Sequence, residues 1–225
     1  MPRTPSARPW WKRSAVIGPA AAVVLAAVMI QQTTFLGAGE EISSAEGSST
    51  EEAAELAREN YESSVLAGLL EEPVPLTDLA AAAEGDPVKA GEQYGRHEAE
   101  GKPYSYAVTA SGTVTEGEFG EIGLEIDGMP DGMDVGIAVP PFGSSTALRD
   151  YGLDVQYGDF ENQIAYQRVA IELNALAAED AYGRTSPDEL LGSEVTVIGA
   201  ITWSSTTGGD VSHVSILPVS IEVDG

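Results

Sequence analysis

The feature that most constrains this chain is a change of hydrophobic period near residue 103. Before it, apolar residues recur at helical intervals. After it, Tyr104, Tyr106, Val108, Ala110 and Val114 alternate with Ser105, Thr109, Ser111, Thr113 and Thr115, the pattern of a strand with one buried face. Gly112 inside it predicts a bend. Ile122, Leu124 and Ile126 alternate with Glu121, Gly123 and Glu125 to give a second strand. An acidic turn over residues 127–134 leads to a third, with Val135, Ile137 and Val139 on one side. Leu153, Val155 and Tyr157 suggest a short extra strand. A helix is then expected from Phe160 to about Ala178, capped by Asp159. Its polar stripe is narrow (Glu161, Arg168, Glu172, Glu179), so it should be packed on more than one side. Val195, Val197, Ile201 and Trp203 mark a fourth strand. The last begins in phase at Val214 and Ile216, then slips to Val219, Ile221 and Val223 at Pro218, as at a bulge or sheet edge. Three strands, a helix and two strands make an α+β, mainly β chain. That order fits an OB-type five-stranded barrel with the helix between strands 3 and 4 plugging it. A plain α+β sheet sandwich is the alternative.

Upstream, Ser49-Thr50-Glu51-Glu52 has the form of a capping box opening a helix to about Leu70, with Leu56, Val65 and Leu69 apolar. Pro73 and Pro75 stop it. A short helix is expected over residues 77–83. Another begins at Asp86-Pro87, a cap followed by proline at the first helical position, and runs to about Tyr94.

Residues 1–13 carry Arg3, Arg8, Lys12 and Arg13 and no acid. An uncharged run of 17 residues, 14–30, follows; as a helix it is about 25 Å long. Continuing it to Leu36, or seating Trp10 and Trp11 at headgroup depth, reaches a full span. The basic flank then leaves residues 1–13 in the cytoplasm, 14–36 as a single-pass transmembrane anchor and the acidic bulk outside, at the outer face of the cell membrane. A cleaved signal peptide competes with this reading, although Leu36-Gly37-Ala38 is a poor cleavage site. The organisation is thus a basic segment (1–13), an anchor (14–36), a Gly/Ser/Glu-rich linker (37–48), a helical region (49–102) and a barrel domain (103–225).

The charge sharpens the placement. The formal net charge is −25, and beyond Arg13 the 36 acids face only seven bases, a net −29. Such a body repels nucleic acid and anionic lipid surfaces. It suits solubility in an outer medium. Cysteine is absent, which removes disulfides, zinc-thiolate sites and thiol nucleophiles.

No phosphate-binding glycine loop, serine-hydrolase elbow or metal-binding histidine spacing occurs, so no cofactor and no metal is expected. His97 and His213 stand far apart, and Asp210-x-x-His213 is a weak pair. The three aspartates of residues 127–134 miss the EF-hand spacing and read as a polar hairpin loop. Binding candidates concentrate around residues 140–163. Arg149 and Asp150 either form a ligand-binding pair or an ion pair that fixes the loop. Asn162 and Gln163, in the first helical turn, either satisfy loop backbone groups or face a ligand. Phe160 is a core plug or a stacking platform, and Thr146 bonds the loop backbone or a ligand. Asn174 is expected to bond a neighbouring loop.

Ser145-Thr146-Ala147-Leu148-Arg149-Asp150, then Asp159-Phe160-Glu161-Asn162-Gln163-Ile164, then Val169-Ala170 and Leu173-Asn174 resemble the bacterial predicted periplasmic lipoprotein family, a domain of unknown function. The resemblance extends to Gln93-Tyr94-Gly95-Arg96 and to Leu191-Gly192-x-x-Val195-x-Val197-x-Gly199. Ser145 stands where the family's pattern has Gly, and one departure matters more: many relatives carry a lipobox cysteine, and this chain has none. A lipid anchor is therefore ruled out, and the hydrophobic segment must do the tethering. The resemblance implies a place beside sugar-type ABC importers, with a transporter component, its solute-binding protein or a carbohydrate as partner. It implies no known enzymatic activity. The expectation is a non-enzymatic binding or accessory module. An envelope enzyme acting on carbohydrate or peptide, and a structural envelope protein, are the alternatives.

Overall fold

Strand β2 (Tyr104–Thr115) is the spine of the molecule. Its inward residues Tyr106, Val108 and Val114 are buried, and its length lets it pair with two different strands. It runs antiparallel to β5 (Glu194–Trp203) from Tyr104↔Trp203 to Thr113↔Glu194. Its last residues pair antiparallel with β3 (Glu121–Glu125), Thr113 opposite Glu125. Gly112 is required at this crossing, because a Cβ there would collide with the carbonyl of Glu125. β3 continues antiparallel to β4 (Asp134–Ala138), and β4 lies parallel to β6 (His213–Val223). β6 returns antiparallel to β5. The sheet therefore closes as β2-β3-β4-β6-β5 and back to β2. The two-residue β1 (Val74–Pro75) lies parallel to Val108 and Thr109, on the same edge of β2 as β3 but before the residues that β3 pairs. The β5–β6 register shifts between Ile198 and Gly199, opposite Pro218, where the sequence slips phase.

The computed structural model describes residues 42–118, 120–203 and 212–224, of which those from Glu46 onward belong to one compact unit. The apolar run over residues 14–36 lies outside the described residues. Among those residues, no helix is long and apolar enough to cross a membrane.

Two hydrophobic layers hold the unit together. The barrel interior is filled by Tyr106, Val108, Ile122, Leu124, Ile137, Val197, Ile201 and Ile216. Leu76 and Leu79 of α3 (Leu76–Gly85) and Leu190 of α7 (Pro187–Leu190) join that cluster. The second layer covers the outward face of the sheet. There the strands present small residues, Ala107 and Ala200, with Leu217 and Val219. Against them pack Ala53 and Ala57 of α1 (Ile42–Asn60), Tyr61 and Val65 of the π-helical turn Tyr61–Leu66, and Val169, Leu173 and Ala177 of α6 (Gln163–Tyr182). Alanines on the strands allow helices to lie close. Full burial of a side chain such as Leu173 contributes about 2 kcal/mol. Arg58 of α1 bonds Glu172 of α6 at 2.7 Å, and Arg168 reaches the same carboxylate at 3.0 Å. The Tyr61 hydroxyl donates to Asp180 at 2.8 Å. α2 (Ala67–Glu71) completes the first helical stretch, and α4 (Pro87–Tyr94) is capped by Asp86, whose carboxylate accepts from the Lys89 amide.

Several expectations are corrected. α6 does not plug the barrel; its buried face lies on the outer layer, and Leu190 enters the interior cluster instead. Residues 153–157 form no strand; the Asp159 carboxylate, bonded to the Gln156 amide, folds the chain into the 3-10 turn Tyr157–Asp159. Asp159 does not cap α6. Its carboxylate closes a box on the Gln156 amide at 2.8 Å, and Asn162 caps α6 by accepting from the Ala165 amide at 2.9 Å. The Ser49–Glu52 pattern is interior to α1, which starts at Ile42 within the stretch expected as a linker. Serine and glutamate three apart also fit a helix interior, and no proline lies between residues 42 and 49 to stop the helix from extending.

Candidate binding groove

Ala138, at the end of β4, joins the helical layer, but no other residue of β3 or β4 does. Ile122 and Leu124 of β3, with Val135 and Ile137 of β4, point into the barrel, so Glu121, Gly123, Glu125 and Gly136 face out. Gly123 and Gly136 are register partners at the middle of this face, with the Thr115 hydroxyl lying over the first and the Glu121 carboxylate burying the second. The β2–β3 loop, with Glu116 and Glu118, forms one wall of a groove of about 820 Å³. The β3–β4 loop forms the other, with half-buried Met129, Pro130 and Met133. Six carboxylates line the groove and no Lys or Arg does, so it excludes polyanions.

Glycine at 136 has a second consequence. A Cβ there would collide with the Glu121 carboxylate, which lies across β4 to meet His213. Glu121 Oε2 and His213 Nε2 are 2.8 Å apart. This pair also borders a smaller cleft of about 430 Å³ that contains Phe142, Ser145 and Leu217. The loop of residues 140–146 thus flanks the smaller cleft, not the large groove. Pro140-Pro141 in this loop is a cis peptide bond. Buried Asn174 secures the loop by donating through Nδ2 to the carbonyls of Gly143 (3.0 Å) and Ser145 (2.9 Å).

The sequence-derived candidates fall into a separate cluster around Tyr166. Arg149 lies on α5 (Ala147–Gly152) and is only 3% exposed. Its Nε and Nη2 meet Asp150 Oδ1 at 2.9 and 2.7 Å, its Nη1 approaches the Tyr166 carbonyl at 3.4 Å, and its guanidinium stacks 3.7 Å from the Tyr166 ring centre. Phe160 packs on the same ring at 5.3 Å. Burial pushes the Tyr166 phenol well above its usual range, with Arg149 opposing the shift. A guanidinium enclosed on these sides is a packing element. Thr146 sits at the start of α5 and makes no side-chain cap bond; its carbonyl accepts from the Asp150 amide at 2.8 Å. Asn162 is spent on its cap. Gln163 is exposed beside Ile164, which is 55% exposed.

The sequence reading missed Met129, Met133, Gly136 and the Glu121–His213 pair as site residues. Their signal was the Glu-x-Gly-x-Glu alternation of β3 next to the acidic turn, but it cannot be told from an ordinary solvated hairpin without the sheet closing around it. Asp210 lies outside the described residues, and the partner of His213 is Glu121. Among the described residues, no group of three or more His, Asp or Glu is placed to hold a metal ion.

Comparisons agree with this architecture. An OB-fold protein (tm0957) from Thermotoga maritima superposes with a TM-score of 0.58 at 16% identity, covering 76% of this chain and 98% of that one. At that identity the likeness shows the fold alone. No curated protein matches the sequence. Residues 20–222 match a family described as predicted periplasmic lipoprotein, a domain of unknown function. With nearly the whole chain matched, this protein belongs to the predicted periplasmic lipoprotein family DUF2291, which places it outside the cytoplasm.

Proposed function

We propose that this protein is a non-enzymatic binding module, tethered at the outer face of the cell membrane by residues 14–36 and accessory to a sugar-type ABC import system. The observation that carries the reading is the open groove over β3 and the start of β4. Concave faces of OB-type barrels bind oligosaccharides and oligonucleotides, and the carboxylates here repel the latter. The partner is a transporter component, its solute-binding protein or a carbohydrate. Tethering follows from the basic flank, the uncharged run and the absence of any cysteine for lipid attachment.

The test is crosslinking in living cells. A photoreactive residue is placed at Asp131 in the groove wall and, separately, at Ser144 beside the small cleft. Capture of an import-system protein from either position is the expected result. Capture of none from both positions overturns the accessory role.

A further inference from the structure

We infer that the β3–β4 groove receives an extended, basic and partly apolar segment of a partner protein; this rests on the binding-module reading above and names the partner's chemistry.

Three independent features of the groove converge. First, the β3–β4 ladder runs from Glu121↔Ala138 to Gly123↔Gly136 and stops, although both strands continue. Beyond it Leu124 and Glu125 of β3 pair only with β2, and Asp134 and Val135 of β4 only with β6, so the edges that β3 and β4 turn toward each other are unpaired there. Unpaired strand backbone is the template on which an extended peptide adds, its main-chain groups supplying the bonds. Second, Ile126, Met129, Pro130 and Met133 give the groove an apolar side, packed behind onto the barrel core. Thioethers adapt to varied side chains. Third, the rim is anionic and carries no Lys or Arg. Charge complementarity therefore selects Lys and Arg on the incoming segment. A second copy of this chain is unsuited, since its body carries a net −29. Its basic cluster, Arg3 to Arg13, precedes the apolar run, on the far side of the tether proposed above.

The test uses the full chain in nanodiscs of neutral lipid. The probes are a fluorescent peptide of alternating Lys and Leu, its Glu/Leu counterpart, and maltoheptaose. The Lys/Leu peptide is expected to bind and the Glu/Leu peptide not. E118Q/E125Q/D131N, all exposed positions, should weaken binding about tenfold at low salt, as three exposed charge pairs imply. E71Q/E72Q/E84Q removes the same charge elsewhere on the surface and should change affinity less than about twofold. M129S/M133S should weaken binding severalfold at unchanged charge; if it does not fold, the two charge variants decide alone. Equal loss in both charge variants would mean attraction to net charge only, and overturns the proposal. Groove-dependent binding of maltoheptaose without the peptide also overturns it, while the binding-module reading stands. Failure of the crosslinking above, with peptide binding intact, overturns the import role and leaves this inference in place.

Discussion

Replacing Arg149 by alanine gives the sharpest check on the reasoning. The side chains of Arg149 and Asp150 are 4% and 14% exposed. Removing one partner of such a buried pair costs about 3–5 kcal/mol, because the other charge stays behind. Asp150 keeps some access to water, so the lower end applies. The lost stacking on Tyr166, worth about 1–2 kcal/mol, overlaps with this and does not add in full. We expect a loss of about 3–4 kcal/mol, and a fall of about 10 °C in the thermal midpoint for a unit of this size. Urea unfolding followed by circular dichroism should show a lower midpoint with an unchanged slope. R149M/D150L removes both charges while keeping volume, and should recover most of the loss. A loss below about 1 kcal/mol for R149A would refute the structural assignment. An unchanged midpoint with loss of a crosslinked partner would make Arg149 a binding residue instead.

Gly152→Ala should destabilise by about 1–3 kcal/mol, because a Cβ there comes within 2.8 Å of Val65 Cα, which is backbone and cannot swing aside; chemical denaturation measures it. Asn162→Ala should lose about 1 kcal/mol through its α6 cap, and Asn162→Asp should retain most of it, in the same assay. The pH response is also fixed in sign. Burial pushes the Tyr106 phenol up to about 12, and raises Tyr61, Tyr166 and Tyr182 as well. The unfolded chain therefore releases these protons first. Their contribution is intact below about pH 10 and is lost progressively as pH rises through the folded values. Phenolate absorbance from these four residues should appear together with loss of the folded circular dichroism signal; ionisation well before unfolding would show that they are not buried.

How much was legible follows from range. The five barrel strands and their order could be read because a half-buried strand writes its period into contiguous residues, as Tyr104 to Thr115 do. Pro218 announced the β5–β6 irregularity for the same local reason. The position of α6 could not be read: Val169, Leu173 and Ala177 mark an apolar face, but not which side of a sheet it meets. The caps of residues 156–162 were ambiguous because Asp159 and Asn162 are both good caps, and only the 3-10 turn decides between them. The groove was illegible because Glu116, Met129 and His213 are brought together by the closing of the sheet and by no spacing along the chain.

The seam between β2 and β5 has a consequence for how this molecule comes into being. It joins Tyr104 to Trp203, and the parallel β4–β6 pair cannot form until the last strand is present. Barrel closure is thus a late, long-range event with a large loop-closure entropy. A chain emerging N-terminus first exposes the alanine face of α1, and Tyr61 and Val65 after it, before any sheet exists to cover them. Cutting within β6 should leave no smaller barrel behind, since the loss reopens the cylinder on both sides at once. Folding here is an all-or-none transaction with the C-terminus, and any partner that must meet a finished groove meets only complete chains.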